Sequence, residues 1–339
     1  LTPVRPAYRL TANDKDITAA IAARFVSLRL TDETGLESDM LEVVLSDHDP
    51  QNRIQKPPKG AELELWLGYD DQATRMGLFV FDEFDRSGWP CVVTIRARAA
   101  VYDQTTKGKK DLQTQKSRSW ADGTKLGAMV AKIAKEHSME PAVANSLASV
   151  TLPHFDQTDE SDLSFLLRIL KHYDAIVKPA GGKLVVVKRG DSKTISGGDL
   201  PTVTVDATEI TDWHVNQSER ENPGTVVAYW RDIGSRQKRE VSVGSGDPVT
   251  RIRHHHPNEA AAKQAAQAEL DKRTRRQNRF SGSLPGRADL VAEGKLILTG
   301  FGVGDVDGEW LLKRVEHEVS AGGYRCMVEA ELPNGADAP

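Results

Sequence analysis

Apolar and polar positions in the first hundred residues alternate with a period of two, the mark of strands that turn one side to a core and the other to water. The alternation begins with Phe25, Ser27, Leu28 and Leu30 and continues through Leu41 to Leu45. It is sharpest where Leu63, Leu65 and Leu67 interleave with Glu62, Glu64 and Trp66, and Leu78 to Phe84 and Val92 to Ala97 add two more runs. Turn-forming clusters separate the runs: Asp47-His48-Asp49-Pro50, Pro57-Pro58-Lys59-Gly60, Tyr69-Asp70-Asp71 and Arg86-Ser87-Gly88. Short strands at this spacing predict a barrel-like β domain over residues 1–106.

The period then changes. Lys107 to Arg118 is basic and without apolar rhythm, as in a linker. Leu126, Met129, Val130 and Ile133 recur at three- and four-residue steps, which predicts a helix that Asp122 or Thr124 can cap. A second helix follows Thr158-Asp159-Glu160, with Leu163, Leu166, Leu167 and Leu170 as its inward stripe, and ends near Tyr173-Asp174. Ala175 to Lys178 and Leu184 to Val187 flank Pro179 to Gly182 as a hairpin. Residues 107–190 thus read as a linker and a small α/β domain. Beyond a Gly- and Ser-containing joint, strand patterns return at Thr202, Ile210, Thr225 and Glu240, and again from Phe280 to Glu331. An Ala-rich segment behind Pro257-Asn258, Glu259 to about Arg276, interrupts them. Residues 191–339 therefore predict a second barrel-like domain with a helix inserted at 257–277. The fold class expected is mainly β with a smaller α/β part, two barrel-like domains joined through the middle one.

Length agrees with several units, since 339 residues exceed the ~250 that a single core holds. No run approaches the roughly 18 to 20 apolar residues of a membrane span, and the N-terminus lacks the apolar stretch of a signal peptide, which predicts completion in the cytosol. Cys91 and Cys326, far apart in strand-like runs, read as two buried thiols. A formal charge of −4 argues against a general phosphate-backbone binder.

Candidate chemistry is sparse. In the extended run His254-His255-His256 neighbours point to opposite faces, so only His254 and His256 could share an ion, and a closed zinc site needs further ligands. A solvated strand end is the plainer reading, as a turn is for His48. Asp159, Glu160 and Asp162 sit where a helix start favours negative charge, which explains them without a glycan-cleaving carboxylate pair. There is no GxxxxGK, GxSxG, HExxH or CxxC motif, and Gly300 to Gly308 lies between strands, where a turn is expected rather than a phosphate cradle. No catalytic residue, metal or cofactor is expected. The basic cluster Lys272, Arg273, Arg275, Arg276 and Arg279 ends the inserted helix, where its dipole accounts for part of the charge. The cluster is also the chain's chief nucleic-acid candidate, and for Lys107 to Arg118 a solvated loop is the commoner meaning of such a run; a protein contact is the other reading, with Lys109, Lys110, Arg118, Arg273, Arg275 and Arg276 as the expected interface residues.

Four segments carry a resemblance: Ser117-Arg118-Ser119-Trp120, Pro153-His154-Phe155-Asp156-Gln157-Thr158-Asp159-Glu160-Ser161-Asp162-Leu163, Leu284-Pro285-Gly286-Arg287-Ala288-Asp289-Leu290-Val291, and Asp307-Gly308-Glu309-Trp310 through His317 to Gly322-Gly323-Tyr324. With the order of domains, they make the chain resemble the phage late control protein D family, the tail hubs of contractile phages, similar also to hubs of R-type bacteriocins and to the base of type VI secretion spikes. The resemblance implies a homotrimer whose paired barrels form a nearly six-fold ring, joining a six-fold tail tube or tube initiator to a trimeric membrane-piercing spike. Baseplate wedge proteins would meet its rim, and a tape-measure protein is a candidate for its lumen. It implies a place in the baseplate of a particle assembled in the host cytoplasm, and no enzymatic role. Because the sequence stops at Pro339, soon after the second barrel, a separate spike polypeptide is expected. The rival readings are a type VI spike base, a peptidoglycan hydrolase and a nucleic-acid binder.

Overall fold

The computed structural model describes residues 5–35, 39–99, 112, 114–180, 183–190, 200–218, 224–231, 237–304 and 306–333. Among them, thirteen strands belong to one large sheet with two leaves. The N-terminal leaf consists of Pro6–Ala12, Phe25–Glu33, Met40–Ser46, Glu62–Tyr69, Gln72–Ser87 and Val92–Ala99, with the short strand Lys15–Asp16 at its edge. Its leucines fold it as the alternation requires: Leu63, Leu65 and Leu67 are buried, while Glu62, Glu64 and Trp66 face outward, half-buried. Pro6–Ala12 and Phe25–Glu33 stand at opposite ends of this leaf's bonding order, yet Tyr8 stacks on Phe25 with ring centroids 4.4 Å apart. The leaf is therefore curled like a barrel, its seam packed by side chains.

The C-terminal leaf holds Thr202–Asp206, Asp212–Gln217, Asn278–Pro285, Lys295–Thr299, Gly308–Ser320 and Gly323–Glu331. The last two form the expected hairpin, with Ser320 opposite Gly323. Gly286 has a steric reason: a Cβ there would lie 2.1 Å from Cγ of the Tyr324 ring, and its N–H donates to the Tyr324 carbonyl at 2.9 Å. Gly300 to Gly308 is a turn region, where the Asp307 carboxylate accepts from the N–H groups of Phe301 and Gly302 at 3.0 and 3.2 Å.

Two departures from the expected domain plan follow from strand pairing. Gly308–Ser320 bonds Gly323–Glu331 on one side and Phe25–Glu33 on the other, with Arg314 opposite Glu33 and Ser320 opposite Ser27. The leaves are thus joined directly, and Leu28, Leu41, Trp310, Val315 and Cys326 share one core instead of meeting only through the middle domain. The strands Thr225–Arg231, Lys238–Gly244 and Val249–His256 also leave the large sheet. They form their own sheet under the helix Glu259–Gln277, in the expected place, where Val226 and Ala228 pack on Ala262 and Ala266. Small apolar side chains suit this close helix–sheet contact better than a leucine core. Asn258 caps the helix, its Oδ1 accepting from the Ala261 N–H at 2.9 Å.

The middle segment combines helices and strands. Leu126–Glu136, Asn145–Ala148 and Asp162–Leu170 are helices, Gln115–Trp120 pairs with Phe155–Ser161, and Glu140–Val143, Lys183–Lys188 and Ala175–Ala180 form a three-stranded sheet. The predicted details shift. Gln115–Trp120 is a strand, so the described end of the expected linker is structured. Neither Asp122 nor Thr124 caps the first helix; Thr124 Oγ1 donates to the Ala121 carbonyl at 2.6 Å. Ser161 caps the third, and its inward stripe is Phe165, Leu166, Ile169 and Leu170, leaving Leu167 38% exposed.

Candidate contact site: a cationic cleft beside a buried arginine

Between the middle domain and the inserted helix lies a cleft of about 1870 Å³. Its anchor is Arg275, in the last turn of the helix and 1% exposed. The guanidinium donates from Nη1 and Nη2 to the two Asp174 carboxylate oxygens at 2.6 and 2.7 Å, and from Nε to Glu331 Oε1 at 3.2 Å. Burial alone would lower its pKa, but Asp174 and Glu331 outweigh that and raise it, so Arg275 stays charged. Three units meet at this one side chain: the inserted helix, the turn after Asp162–Leu170, and the last strand of the large sheet. Asp174 reaches it from a left-handed backbone, φ 47°, which turns the chain out of the short 3₁₀ turn Lys171–Tyr173.

The predicted interface residues therefore divide. Arg275 serves inside the chain. Arg273 is half-buried and pairs with Glu269 one helical turn away at 3.2 Å, beside Lys272 on the same carboxylate at 3.3 Å. Arg276 is exposed on the cleft, as is Arg279. Arg118 lies elsewhere, in the strand Gln115–Trp120, where its guanidinium binds Glu136 and Asp162, donates from Nε to Gln157 Oε1 at 2.8 Å, and stacks over Trp120 at 4.6 Å. Lys109 and Lys110 fall outside the described residues.

The histidine run is also redistributed. His255 lies toward Tyr229, while His256 is buried with its ring edge-on to His172, centroids 6.0 Å apart. Burial, then the charges of His254, Lys171 and Arg168, push the His172 pKa below its ordinary value. Burial, then His172, His254 and His255, do the same to His256. Both surroundings favour the neutral ring. Among the described residues no group of three His, Cys, Asp or Glu side chains could hold a metal ion.

Sequence reasoning missed the centre of the middle domain. Asp162 is fully buried and accepts from Lys116 Nζ at 2.5 Å, His137 Nε2 at 2.7 Å, Gln157 Nε2 at 2.9 Å and the Arg118 guanidinium. A helix-start role explained its charge, yet its chief task is to gather donors from a neighbouring strand and helix. The available signal was the pair of motifs carrying Arg118 and Gln157, which the fold sets on adjacent strands, with Asp162 opening the helix just after the second.

Residues 41–323 match the family model for the phage tail baseplate hub. The chain belongs to the phage tail baseplate hub family. It is 31% identical to the probable baseplate hub protein of Escherichia phage 186 over 374 residues, an alignment covering 98% of this chain and 94% of that relative. In fold it is similar to the 43 kDa tail protein of prophage MuSo2 from Shewanella oneidensis, with a TM-score of 0.70, 12% identity, and coverage of 98% and 100% of the two chains. A more distant likeness of fold reaches the E. coli c3393 protein, described as a component of the type VI secretion system, with a TM-score of 0.57, 9% identity, and coverage of 93% and 77%. The hub family is the one that the four sequence segments resemble, and its baseplate location in a virion follows from it.

Proposed function

We propose that this hub-family chain acts as a homotrimeric symmetry adaptor, joining the six-fold tail tube to a three-fold spike without chemistry of its own. The observation that supports the reading is the doubled β architecture: two leaves of six main strands each, fused edge to edge by Gly308–Ser320 and Phe25–Glu33. Three copies would present six such leaves around one axis, so each identical patch on a six-fold ring would meet a similar surface, while the spike side keeps three-fold repetition. Rigidity favours the same role. Shared core and direct strand bonding between leaves resist bending, and Arg275 clamps the middle domain and the inserted helix to them.

The test is solution mass by light scattering, for the chain alone and mixed with the spike protein of the same particle. A species of three times 37.2 kDa that takes up one spike trimer is expected. A persistent monomer that ignores the spike would overturn the adaptor reading.

A further inference from the structure

The cleft is lined by eight Lys or Arg and five Asp or Glu, in a chain whose formal charge is −4. Four of the five acids already have partners: Glu160 holds Arg168 at 2.7 Å, Asp174 and Glu331 hold Arg275, and Glu269 holds Lys272 and Arg273. Lys171, Arg276 and Arg279 remain exposed at the opening, with no acidic partner among the described residues. Exposed cations grouped at one opening make its local potential positive and favour a negatively charged partner. The opening is also partly apolar. Leu167, 38% exposed on the helix Asp162–Leu170, faces it together with Phe155 and Ile252. In its wall, His256 Nε2 is buried with no hydrogen-bond partner among the described residues.

We propose that this cleft receives an acidic peptide segment of a partner protein, its carboxylates on Lys171, Arg276 and Arg279 and an apolar side chain on Leu167. The chemistry favours a peptide over nucleic acid. A polyphosphate strand gains affinity from a continuous row of cations that release its counterions, whereas here three free cations stand among paired ones on a net acidic chain. Carboxylates interleaved with apolar residues match both the charge and the exposed leucine. The histidines add a pH signature. His172 faces His254, Lys171 and Arg168, and His256 faces His172, His254 and His255, so each is surrounded by positive or neutral groups. An anionic occupant reverses that surrounding and favours the protonated rings, so binding takes up protons and tightens as pH falls.

The proposal is independent of trimer formation and is tested on the full chain by fluorescence anisotropy with a labelled twelve-residue Glu-Glu-Leu repeat peptide. Saturable binding is expected that tightens from pH 8 to pH 6, and that the R276Q/R279Q double variant weakens by about tenfold or more, the scale of two lost charge contacts. Both arginines are exposed, and an unchanged melting midpoint will show the variant folded. Absence of saturable binding, or equal binding by the variant, would overturn the proposal. Tighter binding of a twelve-residue oligothymidylate would reassign the cleft to nucleic acid, and loss of self-association in the double variant would reassign it to a second copy of the chain; either result rejects the peptide.

Discussion

Asp162 and Asp39 are both carboxylates withdrawn from water, and their surroundings drive them in opposite directions. At Asp162 burial works to raise the pKa, but hydrogen bonds from Lys116, His137 and Gln157 and the charge of Arg118 outweigh it and hold the carboxyl below its usual range. At Asp39, where the middle domain meets the N-terminal leaf, burial and then the charge of Asp32 lift the pKa to about 6, against Lys178 Nζ at 2.9 Å from both carboxylate oxygens. Nearby, burial raises Glu293 to about 7 in spite of Arg189 and the Gly190 N–H, which donates to Oε2 at 3.4 Å. The difference lies in the number of donors per carboxylate. Inside the middle domain one buried acid collects four donors; at the junction three acids, Asp32, Asp39 and Glu293, share fewer cations than their charge demands.

The strongest way to break this comparison is to remove the over-supplied carboxylate. Asp162→Ala leaves the buried His137 and Gln157 without their acceptor, while Lys116 and Arg118 keep Glu136, and should cost about 2 to 3 kcal/mol of unfolding free energy in urea at pH 7. A loss no larger than the ~1 kcal/mol of a surface pair would reduce the network to decoration. Next comes the under-supplied acid. A carboxyl whose folded pKa is raised binds more protons when native, so its charged form costs stability above about pH 7, and that cost disappears as pH falls toward the unfolded value. Glu293→Gln should therefore raise stability at pH 8 by about 1 kcal/mol, with the gain shrinking toward pH 5. Urea midpoints across that range check it, and a gain that grows in acid would reverse the assignment. Asp162 has the opposite sign: its contribution is full above the unfolded carboxyl pKa and is lost only as pH falls through the depressed folded value. The smallest effect sharpens the baseline. Arg98 and Asp82 meet at 2.6 Å but are 59% and 49% exposed, so Arg98→Ala should shift stability by about 0.5 kcal/mol or less. A larger thermal or urea shift would show that proximity counts more than burial in this protein.

Legibility in the sequence followed the physics of each element. Period-two alternation such as Leu63, Leu65 and Leu67 reports a local choice, and those strands appear where the pattern places them. The helix stripe in Asp162–Leu170 was displaced because Leu163 and Leu167 are as apolar as their neighbours, and only the packed structure distinguishes Phe165 and Ile169 as the inward ones. Sheet membership was invisible for Thr225–Arg231, since a strand's local pattern is the same whether its neighbour is a leaf of the large sheet or Val249–His256. At the cleft the exposed Arg276 could be read from the basic run. Burial of Arg275, one position away, could not, because its partners lie far off in sequence, Asp174 101 residues before it and Glu331 56 after it.

The ladder between Phe25–Glu33 and Gly308–Ser320 also sets a schedule for synthesis. As the chain leaves the ribosome, the strand around Leu28 is made early, and its second neighbour emerges only after almost everything else. Until then the N-terminal leaf exposes an unpaired edge of β-prone residues, the kind of surface on which nascent chains join wrongly. Contacts spanning so much sequence fold slowly. A chain cut short before Gly308 would keep that edge open and stay prone to wrong association.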